Sequence, residues 1–269
     1  MQLFEGEEKH PLPEDCYQGM DILDHAREFA KLYGDKYVNA PEEERRKALV
    51  DYALPLNIAA LERDLGRYRI HYDVWFRESV LHREGKVTAI CEKLKENGWA
   101  YEKEGALWYN NIKMMIEKAE KAGKPLSEAE IAELKDDVLV RANGVPTYFA
   151  ADIAYHYNKF AERGFHRVIN IWGADHHGHV ARLKGAMDAV GLDGNKLDIV
   201  LMQLVRLMKD GQPYRMSKRS GRAVTLTDLL DDVPIDAARF FFNMREPNAT
   251  FDFDLDLAVQ QSSENPVYY

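Results

Sequence analysis

Cysteine is scarce in this chain: Cys16 and Cys91 are the only two, far apart and outside any Cys-x-x-Cys pairing. Neither a disulfide framework nor a thiolate metal site is therefore expected, and a reducing cytoplasm is the expected location. Positive charge is not in excess either. With 36 Lys and Arg against 45 Asp and Glu, the formal net charge is -9. That excludes a surface which grips nucleic acid everywhere, while leaving room for a local basic groove. No apolar run reaches the roughly 18 residues that a membrane span needs, and Met1 is followed by the polar, acidic QLFEGEEKH. Membrane insertion and secretion are both unexpected. What remains is material for packed cores: 269 residues, 46% hydrophobic and 11% aromatic, enough for one large or two modest domains.

Residues 14 to 104 read as mostly helical. MDILDHAREFAKLYG carries apolar positions at three and four spacing, and PEEERRKALVDYALPLNIAALERDLG opens on Pro41 with an acidic first turn. Pro55 is expected to kink or interrupt that second segment. RIHYDVWF alternates as a strand does, and GKVTAICEKLKENG reads as a helix closed by Asn97 and Gly98. Between Asn110 and Asp137 lie two short charged amphipathic helices broken at Gly123 to Pro125, with Ser127 and Glu130 placed for a capping box.

From Asp137 the pattern changes to strands and helices in turn. VLVR, the turn Asn143-Gly144 and VPTYF suggest a hairpin that leads into a helix across DIAYHYNKFAERG. RVINIW is a short strand, ADHHGHVARLKGAMDAVG a helix stopped at Gly191, and LDIVLMQLVRLM further strand before the turn KDGQ. This alternation predicts an α/β fold with a mainly parallel sheet, whose ligands sit beyond the carboxyl ends of the strands.

Three constellations carry chemistry. Tyr214 to Gly221, YRMSKRSG, gathers Arg215, Lys218 and Arg219, with Arg222 just beyond, on an otherwise acidic chain. Met216, Ser217 and Gly221 allow a sharp turn there, and the Ser217 hydroxyl can donate to phosphate oxygen. Gly173 to Val180, GADHHGHV, follows a strand and opens a helix, where a ribose or phosphate would be received. Gly173 permits close approach, Asp175 can accept both ribose hydroxyls, and His176 and His179 can stack or hydrogen-bond. The plainer reading makes Asp175 a helix cap with solvent-facing histidines. Tyr148 and Asp152, four apart at the start of a helix, offer an aromatic plane and a carboxylate suited to a guanidinium or ammonium group. A competing metal reading takes Asp175-His176-His177 together with the acids of FDFDLD, residues 251 to 256, as a phosphohydrolase centre of the Asp-His-His type.

Taken together, RMSKRSG, GADHHGHV and NGVPTYFAADIAYHYNKF resemble one family, the arginyl-tRNA synthetases of class I. RMSKRSG is similar to the class signature K-M-S-K-S, with Arg215 in place of the first lysine, Lys218 at the second and Arg219 where serine is common. The resemblance runs from PEDCYQGMDI through YDVWFRES and GALWY to ENPVYY. It implies the second half of a Rossmann-like nucleotide-binding domain with a mostly helical connective insertion. Residues 1–104 would then be the insertion, 105–245 the catalytic half with 110–137 as an inserted hairpin, and 246–269 the junction to a helical anticodon-binding domain.

The resemblance further implies ATP-dependent activation of arginine and its transfer to its tRNA. Lys218 and Arg215 would be catalytic. Gly173, Asp175, His176, His179, Met216, Ser217, Lys218 and Arg219 would meet ATP, whereas Tyr148, Asp152 and His176 would meet arginine. ATP enters as a substrate with Mg2+, and no tightly bound cofactor is implied. The string His176-His177-Gly178-His179 matches the class motif His-x-Gly-His, but it lies in the wrong half of the fold, about forty residues before the basic loop. On this reading the chain is expected to be a fragment, inactive alone and able to dimerise through an exposed sheet edge. A noncatalytic synthetase-like binding module is the remaining alternative.

Overall fold

The computed structural model describes residues 1–11, 16, 19–214 and 224–268. In chain order the helices α1 (Gln2–Glu5), α2 (Met20–Tyr33), α3 (Glu42–Arg67), α4 (Glu78–Arg83) and α5 (Lys86–Glu96) come first. Strands β1 (Ala100–Lys103) and β2 (Ala106–Tyr109), helices α6 (Asn111–Lys121) and α7 (Glu128–Glu133) and strand β3 (Asp137–Val140) follow. Helix α8 (Tyr148–Tyr157) runs on into a π-helical turn, Asn158–Glu162. Strand β4 (Val168–Gly173), helix α9 (His177–Ala189) and strand β5 (Leu197–Met202) then form one β-α-β unit. Strands β6 (Val205–Lys209) and β7 (Gln212–Pro213), helices α10 (Leu226–Asp232) and α11 (Ile235–Asn243), strand β8 (Phe251–Asp254) and helix α12 (Leu255–Val259) complete the chain.

Contacts divide these elements into two units, one of 1–73, 206–244 and 252–269 and the other of 74–205 and 245–251. Residue 104 lies in the turn between β1 and β2, which pair in antiparallel register from Ala100 with Tyr109 to Lys103 with Ala106. In the 74–205 unit one apolar core unites α5, α8, α9 and the inner sides of β2, β3 and β5. Leu94, Tyr109, Leu139, Ile153, Leu183, Met187 and Leu197 are all fully buried in it. In the other unit Phe29 packs among Tyr33, Tyr37 and Tyr52, and the end of α3 is tied to α10 and α11 by Arg67–Asp231 at 2.8 Å and Arg69–Asp236 at 2.6 Å.

Several sequence expectations hold. Ser127 and Glu130 close a reciprocal capping box, Asn97 and Gly98 end α5, and Gly191, at φ 84°, follows α9. Others are corrected. β4 and β5 pair in parallel, but β1, β2 and β3 form an antiparallel sheet of their own, and β6 with β7 is antiparallel too. Parallel pairing needs a crossover of a dozen or more residues, which the β4–α9–β5 connection supplies, whereas the short β1–β2 and β6–β7 turns force antiparallel neighbours. Pro55 does not interrupt α3, which is continuous from Glu42 to Arg67. No residue of α3 is buried, so water can satisfy the carbonyl that proline frees. RIHYDVWF forms no strand: Arg69 takes φ 60°, Tyr72 and Val74 are exposed, and the boundary between the units falls at Asp73–Val74. Alternation cannot make a strand without a partner edge. The hairpin expected around Asn143-Gly144 reduces to one bridge, Val140 with Pro146, because proline lacks the N–H to extend a ladder. β3 pairs with β2 instead.

Candidate active-site cleft

Within the 74–205 unit a cleft of about 830 Å³ opens where α8, α9 and the carboxyl end of β4 meet. Tyr148, Asp152, Asp175, His176 and His179 all line it, alongside Glu78, Phe149, Tyr155 and Arg182. The first turn of α8 is fixed by Thr147, whose hydroxyl donates to the Val138 carbonyl at 2.7 Å and accepts from the Ala150 N–H at 3.4 Å. Tyr148 follows that cap and stands 83% exposed, a free aromatic plane at the rim. One turn on, Asp152 points into the cleft on the same helical face.

Asp152 is the electrostatic centre of the cleft. His179 Nε2 lies 2.9 Å from one carboxylate oxygen and His156 Nδ1 3.1 Å from the other. Burial pushes this carboxyl up, but the hydrogen bonds with His156 and His179 outweigh it and hold it well below the usual carboxylate range. Asp137 shows the opposite balance. Its burial dominates the pull of Arg182 and His179 and raises it, although Arg182 donates directly to its carboxylate. Arg182 also reaches the His179 Nδ1 at 3.2 Å and lies over the Phe149 ring at 5.8 Å. Tyr155 stacks on Phe76 at 4.5 Å, and burial raises its hydroxyl.

The carboxyl end of β4 supplies the other wall. Gly173 closes the strand, and a Cβ there would come within 2.4 Å of the Asp175 carboxylate, so glycine leaves that carboxylate its room. A 3-10 turn, Ala174–His176, precedes α9. Asp175 makes no capping bond to either helical segment, which removes the plainer reading of it as a cap and leaves its carboxylate exposed, 3.6 Å from His176. His176 is exposed 6.1 Å from the Trp172 ring, whereas His179 is turned inward between Phe149 and Trp172, each at 5.3 Å. His179, expected beside ATP, is thus engaged with Asp152 and Arg182. Arg215, Met216, Ser217, Lys218 and Arg219 lie outside the described residues.

Sequence reasoning missed His156, Asn170, Lys159, Asp137 and Arg182. Two signals were available: His156 stands four after Asp152, and Asn170 interrupts an otherwise apolar strand in the alternation position shared with Val168.

The cleft thus lies at the carboxyl end of a β-α-β unit, where such sheets receive ligands, and is lined by an aromatic plane, the Asp152 carboxylate and the exposed Asp175 beside a helix start. The family described as tRNA synthetases class I (R), catalytic domain, matches residues 18–262, and the chain belongs to that family. Relatives named Arginine--tRNA ligase occur in Caldanaerobacter subterraneus, 57% identical over 96% of this chain and 43% of the relative, and in Ruminiclostridium cellulolyticum, 52% identical over 100% and 45%. The chain thus spans less than half the length of these relatives. Among solved structures, a protein assigned as an arginyl-tRNA synthetase from Campylobacter jejuni superposes with a TM-score of 0.82, at 33% identity over 99% of this chain and 55% of that one. The Thermus thermophilus arginyl-tRNA synthetase shares the fold, with a TM-score of 0.64 at 18% identity over 93% and 50%.

Family membership displaces the phosphohydrolase alternative. Its late acids are engaged elsewhere: Asp252 pairs with Arg206 at 2.6 Å, Asp254 caps α12, and Asp256 accepts from the Asp210 N–H at 2.5 Å. No group of three or more potential metal ligands exists among the described residues.

Proposed function

We propose that this chain carries the arginine-recognising and phosphate-handling part of an arginine--tRNA ligase, which activates L-arginine with ATP and transfers it to its tRNA in the cytoplasm. One observation carries the reading: Tyr148 and Asp152 share a helical face in the cleft, with the Asp152 carboxylate already held by two imidazoles. A guanidinium reaching it meets a charged, planar acceptor beside an aromatic plane, and an uncharged analogue would leave that carboxylate unpaired. His176 flanks the same cleft from the β4 side.

Gly173 and Asp175 receive the ribose of ATP at the end of β4. Lys218 and Arg215, with Met216, Ser217 and Arg219, hold the phosphates and stabilise the charge that develops as the arginine carboxylate attacks the α-phosphorus and pyrophosphate leaves. Mg2+ arrives with ATP as part of that substrate. In an active enzyme containing this chain, Lys218→Ala is expected to lower arginine-dependent ATP–pyrophosphate exchange by about 100-fold or more. Asp152→Asn is expected to raise the KM for arginine far more than that for ATP. Unchanged exchange in the first variant, or equal effects on both KM values in the second, would refute the assignment. Ile169 and Ile171 leave an exposed apolar face on β4, through which two copies can associate. Sedimentation of Ile171→Lys against the unaltered chain tests that association.

A further inference from the structure

Behind Asp152 lies a buried polar chain that the fold has no packing reason to contain. Asn170 and His156 are 7% and 2% exposed, within the apolar core between β4 and α8. Polar groups buried this deeply destabilise unless fully paired, and apolar side chains would fill the same space at lower cost. Their hydrogen bonds run in one direction only. The Lys159 ammonium can only donate, so the Asn170 atom 3.3 Å from it is the amide oxygen. The Asn170 N–H then donates at 2.7 Å to His156 Nε2, which must be unprotonated. The His156 proton is left on Nδ1, 2.8 Å from the Asp152 backbone carbonyl and 3.1 Å from its carboxylate.

From the other side, Arg182 donates to His179 Nδ1, which fixes the His179 proton on Nε2 and directs it at the second Asp152 oxygen, 2.9 Å away. One carboxylate oxygen thus receives the His179 N–H, while the His156 N–H is held by the Asp152 backbone carbonyl with the other carboxylate oxygen 3.1 Å away. The π-helical turn Asn158–Glu162 follows directly on α8, and Lys159 within it lies over the Tyr155 ring at 4.1 Å as well as against Asn170. Single π-helical turns are frequent at functional sites.

We propose that Lys159, Asn170 and His156 form a positioning relay that aims the Asp152 carboxylate into the cleft and keeps it purely an acceptor for a substrate guanidinium. The proposal rests on the reading of Asp152 given above. None of the three residues touches the substrate; they act through Asp152.

Nitrogen NMR of the imidazoles in the full chain needs no variant: His156 is expected to carry its proton on Nδ1 and His179 on Nε2. A proton on His156 Nε2 would overturn the relay. His156→Leu and Asn170→Leu, checked for folding by their amide spectra, are expected to shift the Asp152 titration upward, followed by carboxyl carbon NMR. They should also weaken L-arginine binding about tenfold, the equivalent of one lost hydrogen bond to a charged group. His156→Asn retains a donor in place of Nδ1 and is expected to recover affinity to within about threefold, which a purely structural role would not produce. Folded leucine variants with unchanged Asp152 titration would also overturn the relay. Asp152→Asn separates the two readings: unchanged L-arginine affinity there refutes Asp152 as the guanidinium acceptor, whereas the Asp152 titration still reports on the relay.

Discussion

Helices α5 and α3 make an instructive contrast. α5 buries Val87, Ile90, Cys91 and Leu94 within 11 residues, whereas α3 runs for 26 residues and buries none. Both have apolar side chains at helical spacing. In α3, however, Leu49, Val50, Leu54, Leu56 and Leu61 remain exposed, while the apolar face of α5 closes against α8 and β1. Periodicity is enough to make a helix, but a second surface must be present to bury its face. The unit that contains α5 therefore has a packed core on which the cleft is built, while in the other unit buried side chains such as Ala238, Phe241, Phe253 and Leu255 come from α11, β8 and α12 and not from α3.

The largest expected effect tests that contrast directly. Leu94→Ala, at a fully buried position, is expected to cost about 3 kcal/mol in urea unfolding, and Leu61→Ala, 55% exposed in α3, less than about 0.5 kcal/mol. Comparable costs would break the comparison. Next, Pro55→Ala restores a donor within α3 and is expected to add up to about 3 kcal/mol of local helix stability, read as slower amide exchange from 51 to 59. A substitution that stabilises α3 without slowing exchange in α5 would sharpen the distinction.

Acid stability comes third. Asp152 is held below its ordinary value in the folded chain, so its contribution is present above the unfolded carboxylate value and is lost as pH falls below about 4. Asp137 has the reverse sign, since its raised value favours the fold when it is protonated. Asp152→Asn should therefore flatten the acid limb of the stability curve by on the order of 1–2 kcal/mol, and Asp137→Asn should steepen it. Thermal melts between pH 2 and 6 would show both. The smallest effect is expected at Arg67→Ala. Its pair with Asp231 is exposed on both sides, and its loss should change stability by no more than about 0.5 kcal/mol in the same melts.

Much of the fold was legible because local rules decided it. The capping box at Ser127 and Glu130, the glycine after α9 and the strand–turn–helix around Gly173 each depend on residues within a few positions of one another. The failures share a cause. RIHYDVWF had strand alternation but no edge to pair with, VPTYF met a proline, and Pro55 sat where solvent could replace a missing bond. In the cleft, Tyr148, Asp152, Asp175 and His176 were legible as chemistry, since the polar types stood at a helix start or beyond a strand. Their partners were not. Asn170 stands 14 positions from His156, Arg182 45 from Asp137 and His179 27 from Asp152, distances over which spacing carries no information.

By itself the sequence determined the helices, the β4–α9–β5 unit and the polar residue types that line the cleft, because short-range sterics and capping act before any long-range contact forms. Only the tertiary structure decided which apolar faces were covered and which imidazole protons point at Asp152. Burial and hydrogen-bond direction are properties of neighbours in space, and those neighbours come from strands and helices far apart along the chain.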